Sequence, residues 1–151
     1  MKKSLRLLNT AAGRFGVEFL PRWRLARLPF ASHLQRLFAK YEIDSVLDVG
    51  ANRGQYRDFL RNEVGFAGMI ISFEPLRHVF EQLERRTQED PSWKAINMAL
   101  GSTDGQMAIN VMAETQLSSF FRPNTKGPKY KDNVVVRTKT VAMRRLDGLM
   151  A

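Results

Sequence analysis

Hydrophobic residues recur from residue 45 onward with two alternating periods, one typical of strands and one typical of helices. Val46, Leu47 and Val49 form an apolar run that ends at Gly50, and a second run covers residues 69–73. Between these runs, apolar residues follow the three-and-four spacing of a helix that faces a core. The alternation predicts an α/β fold with a parallel, doubly wound sheet. The predicted elements are strands at 45–50, 69–74 and 94–100, a helix with Tyr56, Phe59 and Leu60 inward, and a helix with Leu76, Val79, Phe80 and Leu83 inward that stops at Asp90-Pro91.

The pattern changes after residue 100. Residues 102–105 have the composition of a turn, and Met107, Ile109 and Val111 then alternate as in a hairpin strand over 106–113. Residues 122–132 are rich in Pro, Gly and Lys, which predicts a mobile loop. A final strand over 134–141 and a short helical turn over 144–150 complete the predicted order.

The first 44 residues predict a basic helical extension ahead of the α/β domain at 45–151. Its first segment spaces Leu5, Leu8, Ala12, Phe15 and Phe19 as on one face of an amphipathic helix. Pro21 and Pro29 are expected to bracket a linker that contains Trp23. A second helix is expected to begin with a capping box at Ser32 and Gln35 and to pack Leu34, Leu37, Phe38 and Tyr41 over the sheet.

Charge is unevenly distributed along the chain. The 151 residues carry a net charge of +9, divided as +6 over residues 1–45, −1 over 46–100 and +4 over 101–151. A basic amino-terminal segment can meet anionic lipid headgroups, nucleic acid or an acidic glycan. Asn9, Arg14 and Glu18 interrupt any signal-peptide core, and no apolar window is long enough for a membrane span. We expect a cytoplasmic location, with peripheral membrane contact through the basic segment left open.

The turn after the first strand carries the most informative chemistry. Gly50 and Gly54 allow a tight turn and close approach of a ligand, but Asn52 stands where a dinucleotide site needs its second glycine. Asp48 places a carboxylate at the strand end, which suits the ammonium and sulfonium charges of S-adenosylmethionine and would repel a pyrophosphate. Glu74 ends the second strand about 20 residues later, where an acid accepts hydrogen bonds from ribose hydroxyls.

From residue 45 onward the chain resembles the FkbM-type methyltransferases, which methylate hydroxyl groups with S-adenosylmethionine. The matching segments are 48–54, 73–75, 97–101 with 104–105, 118–119 and 146–147. The resemblance implies a Rossmann-like class I methyltransferase sheet, with Asp48, Gly50 and Asn52 around the methionine part, Glu74 on the ribose and Ala99 beside the adenine. It also implies an acceptor hydroxyl on a glycan or a small metabolite. The full set of expected cofactor-binding residues is Asp48, Gly50, Ala51, Asn52, Gly54, Glu74, Pro75, Ala99 and Leu100.

The sequence ends at Ala151, before the acidic strand with which similar proteins continue. Because that strand would lie beside the first one, residues 46–49 are expected to form an unprotected sheet edge, and the chain is expected to self-associate or to need a partner. Two alternatives to an active methyltransferase therefore stay open. One is a truncated, inactive or partner-dependent cofactor-binding module. The other, less favoured because no RNA-binding motif accompanies the charge, is a basic nucleic-acid-binding or RNA-modifying protein.

No catalytic base can be named from the sequence. His33 and His78, the only histidines, are interpreted as surface residues, and Asp104 and Asp147 as turn or capping residues. No cluster of histidines and acids predicts a metal site, and the absence of cysteine excludes disulfides and thiolate ligands.

Overall fold

The computed structural model describes residues 10, 13–16, 25–123 and 134–149 of the chain. These residues form an α/β arrangement of three helices and two small sheets. The helices are α1 (Leu28–Lys40), α2 (Gln55–Phe59), continued by a π-helical turn at Leu60–Val64, and α3 (Arg77–Thr87). The strands are β1 (Ser45–Val49), β2 (Met69–Phe73), β3 (Trp93–Ile96), β4 (Ala99–Leu100), β5 (Gly105–Met112) and β6 (Val135–Arg144). Short 3-10 turns lie at Gly13–Phe15, Thr115–Leu117 and Asp147–Leu149.

The first sheet confirms the predicted parallel arrangement. Its strand order is β1-β2-β3, both pairings are parallel, and Asp48 of β1 lies opposite Ser72 of β2. Helices α2 and α3 make the two crossovers that parallel strands require. Within the described residues β1 pairs with β2 alone, and Val49 at its end is 58% exposed. The carboxyl ends of β1 and β2 lie side by side, which brings the two predicted acidic positions to one edge.

The sequence predicted one strand over 94–100, and this prediction was wrong because the structure has two strands there, β3 and β4. The chain leaves the first sheet after Ile96 and begins β4 at Ala99, in the second sheet. The side chain of Asn97 donates to the carbonyl oxygens of Glu74 (2.8 Å) and Pro75 (3.2 Å), and the Met98 amide turns back to the Ile96 carbonyl. These bonds replace strand pairing at the two residues between β3 and β4, so the strand is divided.

The second sheet contains the two strands predicted after residue 100. Its order is β4-β6-β5, with β5 and β6 antiparallel from Gly105 opposite Met143 onward and β4 parallel to β6. One doubly wound sheet was expected, and the structure instead has a parallel sheet and a separate mixed sheet. Ile109 and Val111 are buried as predicted, whereas Met107 of the same face is exposed. The loop predicted over 122–132 lies mostly outside the described residues.

Helix α3 agrees closely with its predicted inward face. Leu76, just before the helix, is buried together with Val79, Phe80 and Leu83, and the helix ends at Thr87, ahead of Asp90-Pro91. Helix α2 and its π turn bury Phe59 and Leu60, but the predicted inward Tyr56 is exposed.

Helix α1 begins four residues earlier than its predicted cap. Pro29 lies in its first turn, where proline is tolerated because the first amides of a helix have no intrahelical partner. The predicted capping box at Ser32 and the linker ending at Pro29 were therefore wrong. Ala31 is buried and Leu34 and Phe38 pack on the first core cluster, as expected for a helix over the sheet. Tyr41 caps the end of α1 and is exposed, contrary to its predicted inward position.

The amino-terminal amphipathic helix mostly falls outside the described residues, as do Pro21 and Trp23. Gly13–Phe15 is described as a 3-10 turn with Phe15 exposed. Within the described residues no helix has both the length and the apolar character needed to cross a bilayer.

Candidate functional site

The turn between β1 and α2 is held in left-handed backbone conformations. Gly50 has φ 78°, Asn52 has φ 49° and Gly54 has φ 83°. A non-glycine residue with positive φ is uncommon, and asparagine is among the residue types that tolerate it. The amides of Gly50 and Ala51 both donate to the carbonyl oxygen of Phe73, at 2.9 and 3.0 Å. The turn is therefore fastened to the end of β2.

Close packing requires glycine at position 54, in addition to its positive φ. A Cβ atom at this position would lie 2.8 and 2.9 Å from two carbon atoms of the buried Trp93 ring. At Gly50 no atom lies within 4 Å of the corresponding position. Gly54 thus allows close packing of the turn on β3, whereas Gly50 provides only the conformation.

Asp48 lies at the end of a buried chain of hydrogen bonds. The Trp93 indole donates to the Ser72 hydroxyl (2.9 Å), which in turn donates to the Asp48 carboxylate (3.1 Å). Asp48 is only 7% exposed, and burial raises its pKa, against the opposing effect of the Ser72 hydrogen bond. Indole and hydroxyl groups fix the position of this carboxylate without neutralising it.

Glu74 uses both carboxylate oxygens to bind backbone amides. Oε2 accepts from the Asn52 amide (2.9 Å) and Oε1 from the Leu76 amide (2.8 Å). Burial is the largest influence on Glu74 and raises its pKa, the two amides oppose this rise, and the charge of Asp48 adds to it. Glu74 therefore connects the glycine turn to the start of α3 and lies close enough to Asp48 for electrostatic repulsion.

Both carboxylates are buried without an ion-pair partner in the described part of the chain. Asp48 and Glu74 are 7% and 4% exposed, and neither forms an ion pair with Lys or Arg within the described residues. Buried charges are normally paired, so an unpaired buried acid is costly. A ligand that brings a positive charge or hydroxyl donors to this edge would remove part of that cost.

A segment after β5 covers the turn. The Asn52 side-chain amide donates to the Thr115 hydroxyl (3.0 Å), across 63 residues of sequence. Residues 113–116 and residues 52, 53 and 55 line a cleft of about 250 Å³. The candidate site is thus partly closed by the 3-10 turn that contains Thr115.

An aromatic cleft adjoins the same turn. The Phe59 ring stacks on Phe30 (centroids 5.6 Å apart) and on Tyr56 (5.9 Å), and these rings line a cleft of about 380 Å³ together with Arg27 and Gln55. Burial raises the pKa of Tyr56, and the charge of Asp48 raises it further. The Tyr56 hydroxyl is therefore within electrostatic reach of the Asp48 carboxylate.

The structure brings most of the predicted site residues to one edge. Asp48, Gly50, Ala51, Asn52, Gly54 and Glu74 are joined by the contacts above, and Pro75 follows directly. Ala99 and Leu100 lie in the second sheet, where Ala99 packs with Leu76 and Val79 and Leu100 pairs with Arg144. No hydrogen bond within the described residues joins Ala99 or Leu100 to Asp48.

Sequence reasoning missed Ser72, Trp93 and Thr115, and it included Asn97 only as part of the matching segment 97–101. Ser72 had a detectable signal, because it is the polar residue in an apolar strand and the parallel register places it opposite Asp48. Thr115 had none, since its contact with Asn52 depends on how the chain returns from β5. His33 and His78 are both exposed, as interpreted from the sequence.

Within the described residues no group of three or more histidine and acidic side chains could hold a metal ion. Comparison of the chain with models of protein families, with curated proteins and with solved structures gives no match.

Proposed function

We propose that this chain binds S-adenosylmethionine at the edge formed by β1 and β2 and acts as an O-methyltransferase. The observation that carries the proposal is the pair of buried, unpaired carboxylates, Asp48 and Glu74, at the ends of adjacent parallel strands beside a left-handed glycine turn. Ligands of open α/β sheets bind at the carboxyl ends of the strands. An anionic, phosphate-rich ligand would be repelled there, and a cationic nucleoside would be attracted.

The residues present fit the cofactor. Glu74 uses one acceptor position on each oxygen for a backbone amide, and a carboxylate has about four such positions, so two remain for a ribose diol. Asp48 supplies the negative charge for the ammonium or sulfonium group. The Ser72 hydroxyl holds the Asp48 carboxylate in place. Gly50, Ala51 and Gly54 keep the turn close to the ligand. The cofactor supplies an activated methyl group when bound.

Entry of the cofactor requires the covering segment to move. The cleft beside Asn52 measures about 250 Å³, whereas pockets for small-molecule ligands measure about 300–1,000 Å³. The Asn52–Thr115 hydrogen bond joins the covering segment to the turn. Loss of this one bond costs only about 1 kcal/mol, so the cleft can widen when a ligand binds.

The acceptor belongs in the aromatic cleft next to Tyr56. Its stacked rings provide a mostly apolar wall, and Gln55 lines both this cleft and the cleft beside Asn52, so an acceptor hydroxyl bound here would lie next to the cofactor. The class of acceptor, a hydroxyl of a glycan or small metabolite, rests on the family resemblance.

Calorimetric titration of the chain with S-adenosylmethionine and S-adenosylhomocysteine tests the proposal. We expect micromolar binding that Asp48→Asn and Glu74→Gln weaken at least tenfold, since each removes a charge without removing volume. Glu84→Gln, at an exposed position of α3, is the matched control and should bind normally. Titration with NAD⁺ is the second control. Equal binding by all variants, or preference for NAD⁺, would contradict the proposal.

A second candidate is a cofactor-binding module that works with a partner chain. The single neighbour of β1 in the described structure and the 58% exposure of Val49 favour it. If the purified chain binds the cofactor but transfers no methyl group until a second protein is added, this candidate is the correct one.

A further inference from the structure

A second cleft lies between the start of α3 and strand β6 and reaches the carboxylate edge at Pro75. It measures about 580 Å³, and its charged lining residues are Arg77 and Glu81 of α3 and Arg137 and Lys139 of β6. Neither Asp48 nor Glu74 lines this cleft. The function proposed above gives no role to its charged residues.

One wall of this cleft is an unpaired strand edge. Strand β4 pairs only with Met143 and Arg144, and the Arg144 carbonyl accepts from the Gly101 amide. Arg144 therefore directs its backbone groups toward the β4 side, and alternate residues of a strand direct theirs to the same side. By this alternation, Ala142, Thr140 and Thr138 direct their amides and carbonyls to that side, and Ala142 and Thr140 also line the cleft. Within the described residues β4 pairs on this side with Met143 and Arg144 alone, so the edge is open along residues 135–142 of β6.

The cleft also carries uncompensated positive charge. Arg77 is paired with Glu81 at 2.9 Å, so these two charges offset each other. Arg137 and Lys139 form no ion pair in the described part of the chain, and both belong to the face of β6 that buries Val141. Two free cations thus flank the open edge, about 7 Å apart along the strand.

We propose that this cleft binds an extended acidic segment of a partner protein, which adds to β6 as a further strand. The open edge presents donors and acceptors in alternation, and only another backbone satisfies both. A phosphate group accepts hydrogen bonds but cannot donate to the carbonyls of Thr138, Thr140 and Ala142. Acidic residues at every second position of the segment would lie on the same face as Arg137 and Lys139.

Fluorescence anisotropy with a labelled octapeptide of alternating Thr and Glu tests this proposal on the full chain. Four further probes separate charge from strand pairing: the Thr-Gln peptide, two N-methylated registers of the Thr-Glu peptide, one methylated on its Thr residues and one on its Glu residues, and oligouridylate of matched charge. The charge variant is Arg137→Glu with Lys139→Glu. Its control is Arg36→Glu with Lys94→Glu, which changes two exposed cations outside the cleft by the same amount.

We expect the Thr-Glu peptide to bind and the charge variant to weaken its binding roughly tenfold or more, because cross-strand pairs of opposite charge become repulsive when one charge is reversed. N-methylation should abolish binding when it falls on the residues that pair with β6. Thr140→Pro removes one edge amide and should have the same effect if the variant remains folded by circular dichroism. If the Thr140→Pro variant does not fold, the N-methylated peptides alone test whether the segment pairs with β6.

Three outcomes would overturn the proposal. Equal affinity for both N-methylated registers and the unmodified peptide would mean attraction by charge without strand addition. Tighter binding of oligouridylate, displaced by salt, would identify a polyanion site instead. Equal weakening by the control variant would mean that the effect belongs to the net charge of the chain.

Discussion

Substitution of Gly54 by alanine should destabilise the fold through two separable effects. The first is conformational, because φ is 83° and a left-handed residue with a Cβ costs roughly 1–2 kcal/mol. The second is steric, because the new Cβ would lie 2.8 Å from the Trp93 ring. That ring is buried and anchored to Ser72, so it cannot move freely, and overpacking of this kind costs roughly 1–3 kcal/mol. The expected loss is about 2–5 kcal/mol.

Gly50→Ala is the matched control, because its φ of 78° is nearly the same and no atom lies within 4 Å of the added Cβ. It should lose only the conformational part. Both substitutions reduce the entropy of the unfolded chain equally, so this contribution cancels in the comparison. Urea unfolding followed by far-ultraviolet circular dichroism gives the free energy of unfolding for each variant.

A double-mutant cycle isolates the steric effect. Trp93→Phe removes the ring atoms that the new Cβ would meet, so Gly54→Ala should cost less in that background. Equal losses for Gly54→Ala and Gly50→Ala, with no coupling to Trp93, would refute the argument that close packing requires this glycine.

The remaining predictions concern the site and the sheet edge. Burial raises the pKa of Asp48 above its usual 3.8, so its ionised form costs stability at neutral pH. Asp48→Asn should therefore be more stable than the parent at neutral pH, with the gain fading as the pH falls through the raised pKa of Asp48 toward 3.8, and urea titrations across this range measure it. Ser72→Ala leaves the Trp93 indole and Asp48 without their shared partner and should cost about 1–3 kcal/mol in the same assay. Thr115→Val removes the bond to Asn52 and should tighten cofactor binding up to roughly fivefold by calorimetry, whereas weaker binding would assign Thr115 to the ligand contacts. Val49→Lys places a charge at the open end of β1 and should reduce self-association in sedimentation velocity, whereas unchanged association would point to another surface.

Local patterns predicted the first sheet well. The apolar run before Gly50 corresponds to strand β1, although Val49 is exposed, and the spacing of Val79, Phe80 and Leu83 corresponds to the buried face of α3. The glycine turn was recognisable for the same reason, since positive φ values at Gly50 and Gly54 follow from the residue type.

Features that depend on distant contacts were not predictable. The division of the third strand depends on the Asn97 side chain reaching back to Glu74, and the covering of Asn52 depends on Thr115. Helix α1 begins before Ser32 because Pro29 fits its first turn and Ala31 packs on the core, although Ser32 and Gln35 form a plausible local cap. In each case a tertiary contact outweighed a local signal.

The position of Trp93 makes the chain its own spectroscopic reporter. Its indole is buried, its ring lies under the guanidinium groups of Arg57 (4.8 Å) and Arg86 (5.5 Å), and its N–H is connected through Ser72 to Asp48. A change of charge at Asp48 should alter the field across the excited indole and shift its emission. With Trp23 replaced by phenylalanine, this fluorophore would be the only tryptophan in the chain. Its wavelength would then register events at the carboxylate edge without any added label.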